Sequence, residues 1–223
     1  MMKVYYKSKS CVAPAAAFLL YSLSASNALL AGQQGNVVRA AAVESHEGLT
    51  VSARPWTSAD LYKEKFGKNS PFRVGIVAIH LSFRNDSAQA IKIDLDRIQL
   101  QVRLSEDNRQ NLGTLTAEDV ADSVRNPGSR DVTVARKPIP LPGKKSGGRD
   151  KHWDELVQVV QDAGLPSRLV APHSTMQGLI FFDLRGQLDL LDTAQLYIPD
   201  LVALETNHPL FYFEIDLGRH AAN

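Results

Sequence analysis

Apolar and polar residues alternate with a period of two along much of this 223-residue chain, the pattern of strands that bury one face. The clearest stretch is RVGIVAIHLSFRN, residues 73–85. There Val77, Ile79, Leu81 and Phe83 share one face, and His80, Ser82 and Arg84 share the other. It predicts the strand around which the fold is organised. The same period predicts an edge strand over 48–56, stopped by Pro55, and strands over 90–95 (Ile91, Ile93, Leu95 inward) and 97–104 (Ile98, Leu100, Val102, Leu104 inward). With short turns between them, including Asn85-Asp86-Ser87, these two and the long strand read as an antiparallel meander.

Further strands are predicted over 167–171, 176–184, 193–198 and 209–217. The second of these is apolar on both faces and reads as a central, doubly covered strand, and the last points Phe211, Phe213, Ile215 and Leu217 inward. The period changes three times. Thr57–Phe66, Thr116–Arg125 with Thr116 and Asp119 as a capping box, and Lys151–Leu165 with Trp153, Leu156, Val159 and Val160 at helical spacing all read as helices. Short strands without a β-α-β rhythm make the expected fold mainly β: an immunoglobulin-like two-sheet antiparallel sandwich with two or three short helices inserted. The chain has no internal repeat of fixed period.

The N-terminus changes the count of residues available to that fold. Lys3, Lys7 and Lys9 precede an apolar run over 11–23, and Ser26-Asn27-Ala28 follows it, which is the three-part pattern of a secretory signal peptide. An apolar core of about a dozen residues is short against the roughly 20 of a spanning helix. Residues 1–28 are therefore read as a signal peptide that leaves no membrane span after cleavage, 29–47 as a flexible lead-in, and 48–223 as a single sandwich domain. This places the protein outside the cytoplasm, periplasmic or extracellular.

Cleavage takes Lys plus Arg from 25 to 22 against 24 Asp plus Glu, so the formal charge moves from +1 to −2. Such a balance speaks against nucleic acid as a partner. The single cysteine, Cys11, leaves with the signal. A mature chain of this length holds its fold by its core alone, without disulfides.

Residues 126–151 interrupt the sandwich pattern. From Arg125 to Lys151 the chain carries eight Lys or Arg against Asp131 and Asp150, with Pro138, Pro140 and Pro142 on alternate positions. Alternating prolines favour a stiff polyproline II segment that partners recognise readily. The candidate binding residues are accordingly Arg130, Arg136, Lys137, Pro138, Pro140, Pro142, Lys144, Lys145 and Arg149, with an acidic polymer or an envelope protein as the partner class; the competing reading is a solvated loop.

No chemistry of higher specificity is legible. The six histidines are scattered, without HxH, HxxxH or HExxH spacing, and no nucleophile elbow, P-loop or dinucleotide fingerprint is present. No catalytic residue, metal site or cofactor is named. His80 stands on the face opposite the core, where a solvent-facing or hydrogen-bonded role is expected. The paired carboxylates Asp94 and Asp96, and Glu214 and Asp216, read as solvated strand residues that guard edges.

The runs VGIVAIHLSFRNDSAQAIKIDLDRIQL and APHSTMQGLIFFDL resemble the strands of immunoglobulin-like accessory domains of bacterial cell-envelope proteins. Together they cover 41 residues. The resemblance implies adhesion, assembly or ligand binding without catalysis. The expected function is thus an exported, non-enzymatic binding or scaffolding protein of the cell envelope. The alternative is a carbohydrate-active or other hydrolase that uses strand carboxylates such as Asp94, Asp96 or Asp183.

Overall fold

The computed structural model describes residues 39–105, 108–127 and 151–218. In chain order the strands are β1 (Ala42–His46), β2 (Leu49–Pro55), β3 (Ile76–Asn85), β4 (Ile91–Lys92), β5 (Gln99–Ser105) and β6 (Asn108–Gly113), then β7 (Leu169–Val170), β8 (Ser174–Asp183), β9 (Gln195–Ile198), β10 (Val202–Ala203), β11 (His208–Pro209) and β12 (Phe213–Asp216). The helices are α1 (Ala59–Phe66) and α2 (Ala117–Arg125), before the undescribed segment, and α3 (Lys151–Ala163), after it. The strands form three antiparallel sheets, ordered β1-β2-β3-β8, β11-β10-β4-β7 and β12-β9-β5-β6. The fold is mainly β, as the alternating pattern predicts.

The long strand does organise the structure. β3 pairs with β2 from Pro55↔Ile79 to Leu49↔Asn85 and with β8 over its whole length, Ile76↔Asp183 to Asn85↔Ser174. Val77, Ile79, Leu81 and Phe83 are fully buried in one cluster with Leu49, Val51 and Phe182 of the first sheet. Leu100, Leu196, Ile198, Phe213 and Ile215 face them from the third sheet, and Ile91 and Val170 from the second. That cluster is the core of a β-sandwich.

Several expectations are corrected. The three strands read as a meander lie in three different sheets, because β4 pairs with β7 and β10 while β5 pairs with β6 and β9. The chain changes sheets at a 3-10 turn, Leu95–Arg97, which Asp94 caps by accepting from the Asp96 amide. The segment 29–47 is not wholly a lead-in: residues 42–46 form β1, paired with β2 from Ala42↔Ala53 to His46↔Leu49. β2 is therefore an inner strand, and Pro55 marks its end rather than an edge.

β8 closes the first sheet and is not central. Its two-sided apolar pattern has another cause. Met176, Ile180 and Phe182 enter the sandwich core, whereas Leu179 and Phe181 join Ile76 and Ala78 of β3 in a second cluster beneath the three helices, with Tyr62, Val120, Leu156 and Val160. The outer edge of β8 receives a hydrogen bond from the Leu115 amide to the Phe181 carbonyl, 2.8 Å, and a bridge from Gly164. Gly178 permits that approach, since a Cβ there would stand 2.4 Å from the Gly164 carbonyl oxygen.

The three helices form where the sequence predicts them, α1 beginning two residues later and α3 ending two residues earlier than the predicted ranges. Ser58 caps α1, the Thr116–Asp119 capping box starts α2, and α3 stops before Gly164. In α3 the buried face is Leu156, Val157, Val160 and Ala163, and Val159 is exposed. Tyr62 of α1 extends the sheet by side chain. Its fully buried hydroxyl accepts from the Ala78 amide at 2.6 Å and donates to the Trp56 carbonyl at 3.0 Å, where β2 has left β3. Burial raises the phenol well above its usual range, so it stays a neutral donor.

Asn85 ties the sheets together. Its buried amide nitrogen donates to the carbonyls of Gln89 (2.7 Å), Val170 (3.3 Å) and Ala171 (3.1 Å), and its oxygen accepts from the Ser87 amide and hydroxyl at 3.0 and 2.7 Å. We expect Tyr62→Phe to lower stability by about 1–3 kcal/mol, because it leaves a buried amide without an acceptor. Asn85→Asp, which turns a carboxylate on three carbonyls, should lower it by more than about 3 kcal/mol. Urea unfolding of the variants checks both; an unchanged midpoint for Asn85→Asp would rule out the tie.

Candidate functional site

Four connections meet at the end of the sandwich where β3 finishes. The β1–β2 turn carries Glu47 and Gly48, the β3–β4 turn carries Ser87 to Gln89, the β10–β11 turn carries Thr206, and Leu210 follows β11. Hydrogen bonds bind these loops into one surface. The Asp86 amide donates to the Gly48 carbonyl at 2.8 Å, the Leu204 amide to the Ala90 carbonyl at 2.9 Å, and the Leu210 amide to the Leu201 carbonyl at 2.8 Å. Thr206 Oγ1 donates to Gln89 Oε1 at 2.9 Å, and both Glu205 carboxylate oxygens accept from the Ala90 amide.

Between them lies a cleft of about 570 Å³, lined by Glu47, Ser87, Ala88, Gln89, Ile91, Ala203, Thr206, His208 and Leu210. Its size is that of small-ligand sites, and five of its nine lining residues, Glu47, Ser87, Gln89, Thr206 and His208, are polar. Glu47 and Asn207 hold positive φ angles of 50° and 49°, a conformation that costs free energy in residues other than glycine and collects at binding sites.

The rim is aromatic and charged. His46 stacks on Phe213 with ring centroids 3.8 Å apart and meets Phe211 edge-on at 6.4 Å. Glu47 accepts from the Phe211 amide at 2.6 Å and lies 4.0 Å from His208 and 3.7 Å from His46. Phe211 is 71% exposed, against the expectation that it points inward. The cause is that 209–217 is not one strand: β11 belongs to the second sheet and β12 to the third, and Phe211 sits in the crossing. Alternation lost its phase there.

Every candidate residue of the basic insertion, from Arg130 to Arg149, lies outside the described residues. What is described is its base, where Trp153 Nε1 of α3 donates to Asp122 Oδ1 of α2 at 2.6 Å. The carboxylates weighed for hydrolysis have other work. Asp94 and Asp96 both face Arg168, at 3.7 and 2.6 Å, and Asp183 accepts from the Arg185 amide at 2.9 Å. Glu214 and Asp216 do lie on the edge strand β12. The Glu214 amide is capped by Glu44 of β1 at 3.0 Å, so edge protection falls partly to a residue of the N-terminal strand. Among the described residues no group of three or more His, Cys, Asp or Glu is arranged to hold a metal ion, and no helix is long and apolar enough to cross a membrane.

The cleft residues carry no spacing signal: Glu47, Gln89 and His208 are brought together only by the loops.

No family model and no curated protein matches the chain. Among solved structures it is similar to a functionally unknown protein from Listeria monocytogenes EGD-e, at 13% identity over 70% of each chain with a TM-score of 0.33.

His80 stands on the outer face of the first sheet, as expected, but it is half-buried. Burial, and then the positive charge of Arg54 directly across the strands, lower its proton affinity below the ordinary value of 6.5. The native state thus resists a proton that the unfolded chain accepts, so acidification through and below pH 6.5 favours unfolding. We expect wild type to lose more stability than His80→Asn between neutral and mildly acidic pH in denaturant titrations; parallel losses would contradict the assignment.

Proposed function

We propose that this protein is an exported binding module of the cell envelope, immunoglobulin-like in topology, that takes its partner at the loop end of the sandwich rather than performing catalysis. The observation that carries this reading is the cleft of about 570 Å³ framed by Glu47, Gln89 and His208 and flanked by the exposed ring of Phe211.

Connectivity supports it. If β2, β3 and β8 are taken as strands A, B and E, and β12, β9, β5 and β6 as G, F, C and C′, each pairing among these seven strands is one that an immunoglobulin-like sandwich makes, with β1 and the second sheet added to it. The cleft then falls between the B–C and F–G connections, the pair of loops with which variable domains bind. Loops fixed on a rigid scaffold are where recognition residues concentrate. Export is supported by the N-terminal pattern of Lys3, Lys7 and Lys9, the apolar run and Ser26-Asn27-Ala28. The basic insertion at 126–151, with Arg136, Lys137, Lys144 and Lys145, offers a separate contact for an acidic polymer.

Three forms of the protein separate these elements: wild type, Phe211→Ala with His208→Ala, and a chain whose residues 126–149 are replaced by a Gly-Ser linker. Each is used for capture from envelope extract with identification by mass spectrometry. Since both substituted side chains are exposed, the double variant should keep its unfolding free energy within about 0.5 kcal/mol yet lose the partner. A partner kept by the cleft variant and lost by the linker variant would move recognition to the insertion. Turnover of a glycoside or ester panel, abolished by Asp94→Asn, would overturn the non-enzymatic reading.

A further inference from the structure

A second hollow lies on the outer face of the first sheet, away from the loop cleft. It measures about 370 Å³ and is lined by Arg39, Ala40, Ala41, Ser52, Arg54 and His80. Arg54 and His80 are direct cross-strand partners, and Ser52 opposes Ser82 two pairs further along the same face. The next residue on the His80 rung, Leu179, already belongs to the cluster under the helices. The hollow thus lies where the helical cluster gives way to a half-buried polar stretch of the sheet.

Its donors outnumber its acceptors. Arg39 gives Nη2 to Asp192, but its Nη1 is buried without a hydrogen-bond partner. Arg54 makes no hydrogen bond or ion pair with any described residue, and no carboxylate lines the hollow. A buried guanidinium donor without an acceptor is costly and rare in a folded protein. Asp192 balances Arg39, so the charge of Arg54 is left over, with His80 beside it able to add a second. Donors approach from the segment before β1 (Arg39), from β2 (Ser52, Arg54) and from β3 (His80). Such convergence suits a tetrahedral oxyanion with several acceptor oxygens better than a planar carboxylate, and guanidinium groups match phosphate geometry well.

We infer that this hollow is a binding site for a phosphate group, either free or carried on a small organic molecule as a phosphomonoester. The group would accept from Arg39 Nη1 and from the Arg54 guanidinium, with the Ser52 hydroxyl and the His80 ring completing its surroundings. The volume exceeds that of the ion itself, which leaves room for the ester's carbon portion. Binding the anion restores the proton that His80 otherwise resists, so affinity rises on mild acidification as long as the phosphate keeps its charge.

The test is calorimetric titration of the full chain, at low ionic strength, with inorganic phosphate and separately with glycerol 3-phosphate, repeated for Arg54→Gln, Arg54→Lys and His80→Asn. The expected result is binding that Arg54→Gln weakens by about 10- to 100-fold, the loss of one charged hydrogen-bonding group. Arg54→Lys should be intermediate, and His80→Asn should abolish the proton uptake measured in buffers of different ionisation enthalpy. Tighter binding of glycerol 3-phosphate assigns the site to esters; equal binding assigns it to the free ion. Thermal unfolding without ligand confirms that the variants fold, and ligand-induced stabilisation seen for wild type but not Arg54→Gln gives a second readout. Absence of binding by both probes, or equal binding by wild type and a folded Arg54→Gln, would overturn the inference.

Discussion

The fold turns on one buried carboxamide. β3 must end somewhere, and it ends at Asn85, fully enclosed between the first sheet and the short second one. Three carbonyls converge there, those of Gln89 in the β3–β4 turn, Val170 at the end of β7 and Ala171 just after it. An apolar residue would take a donor from all three. The amide NH₂ supplies two protons in the required direction while its oxygen takes the Ser87 amide and hydroxyl. This arrangement fixes where the chain leaves the first sheet, hence where β4 and β7 meet, hence the floor of the loop cleft.

A second constraint operates at the opposite end of β3. There β2 departs after Pro55, and the backbone groups of Ala78 and Trp56 are satisfied through the Tyr62 hydroxyl. The ring also packs with Phe72, centroids 4.9 Å apart, and edge-on with Trp56 at 5.5 Å. One side chain therefore completes a hydrogen-bond ladder and anchors the helical layer. Such double duty is why helix α1, only eight residues long, holds its place: its stability comes from tertiary contact rather than from its own length.

The sequence was legible where one physical rule acts alone. Period-two alternation over 77–83 identified the core face of β3, and the capping box at Thr116 located the start of α2 to the residue. It misled where two rules overlap. The two-sided apolar run of β8 looks the same whether a strand is central in its sheet or lies at an edge beneath helices, and only the tertiary structure tells them apart. Residues 42–46 were missed because β1 buries little beyond Ala42, its polar side chains being spent on the neighbouring edge. Sheet membership was beyond reach as well, since alternation along 90–104 says which way side chains point but nothing about which neighbour pairs. The loop cleft was illegible for a related reason: Glu47 and His208 are 161 positions apart, and nothing local marks either as the other's neighbour.

The hydrogen bond between Trp153 and Asp122 has a consequence for what the chain can carry. It closes the base of the insertion on the helical layer, beneath which Gly164 and Gly178 meet with no room for a side chain. Whatever lies between those two anchors is therefore joined to the fold as a cassette through a finished socket. Lengthening a loop whose ends are already fixed costs only about 0.6 kcal/mol per doubling. Segments of quite different size or charge could be exchanged at this position at little cost to the sandwich.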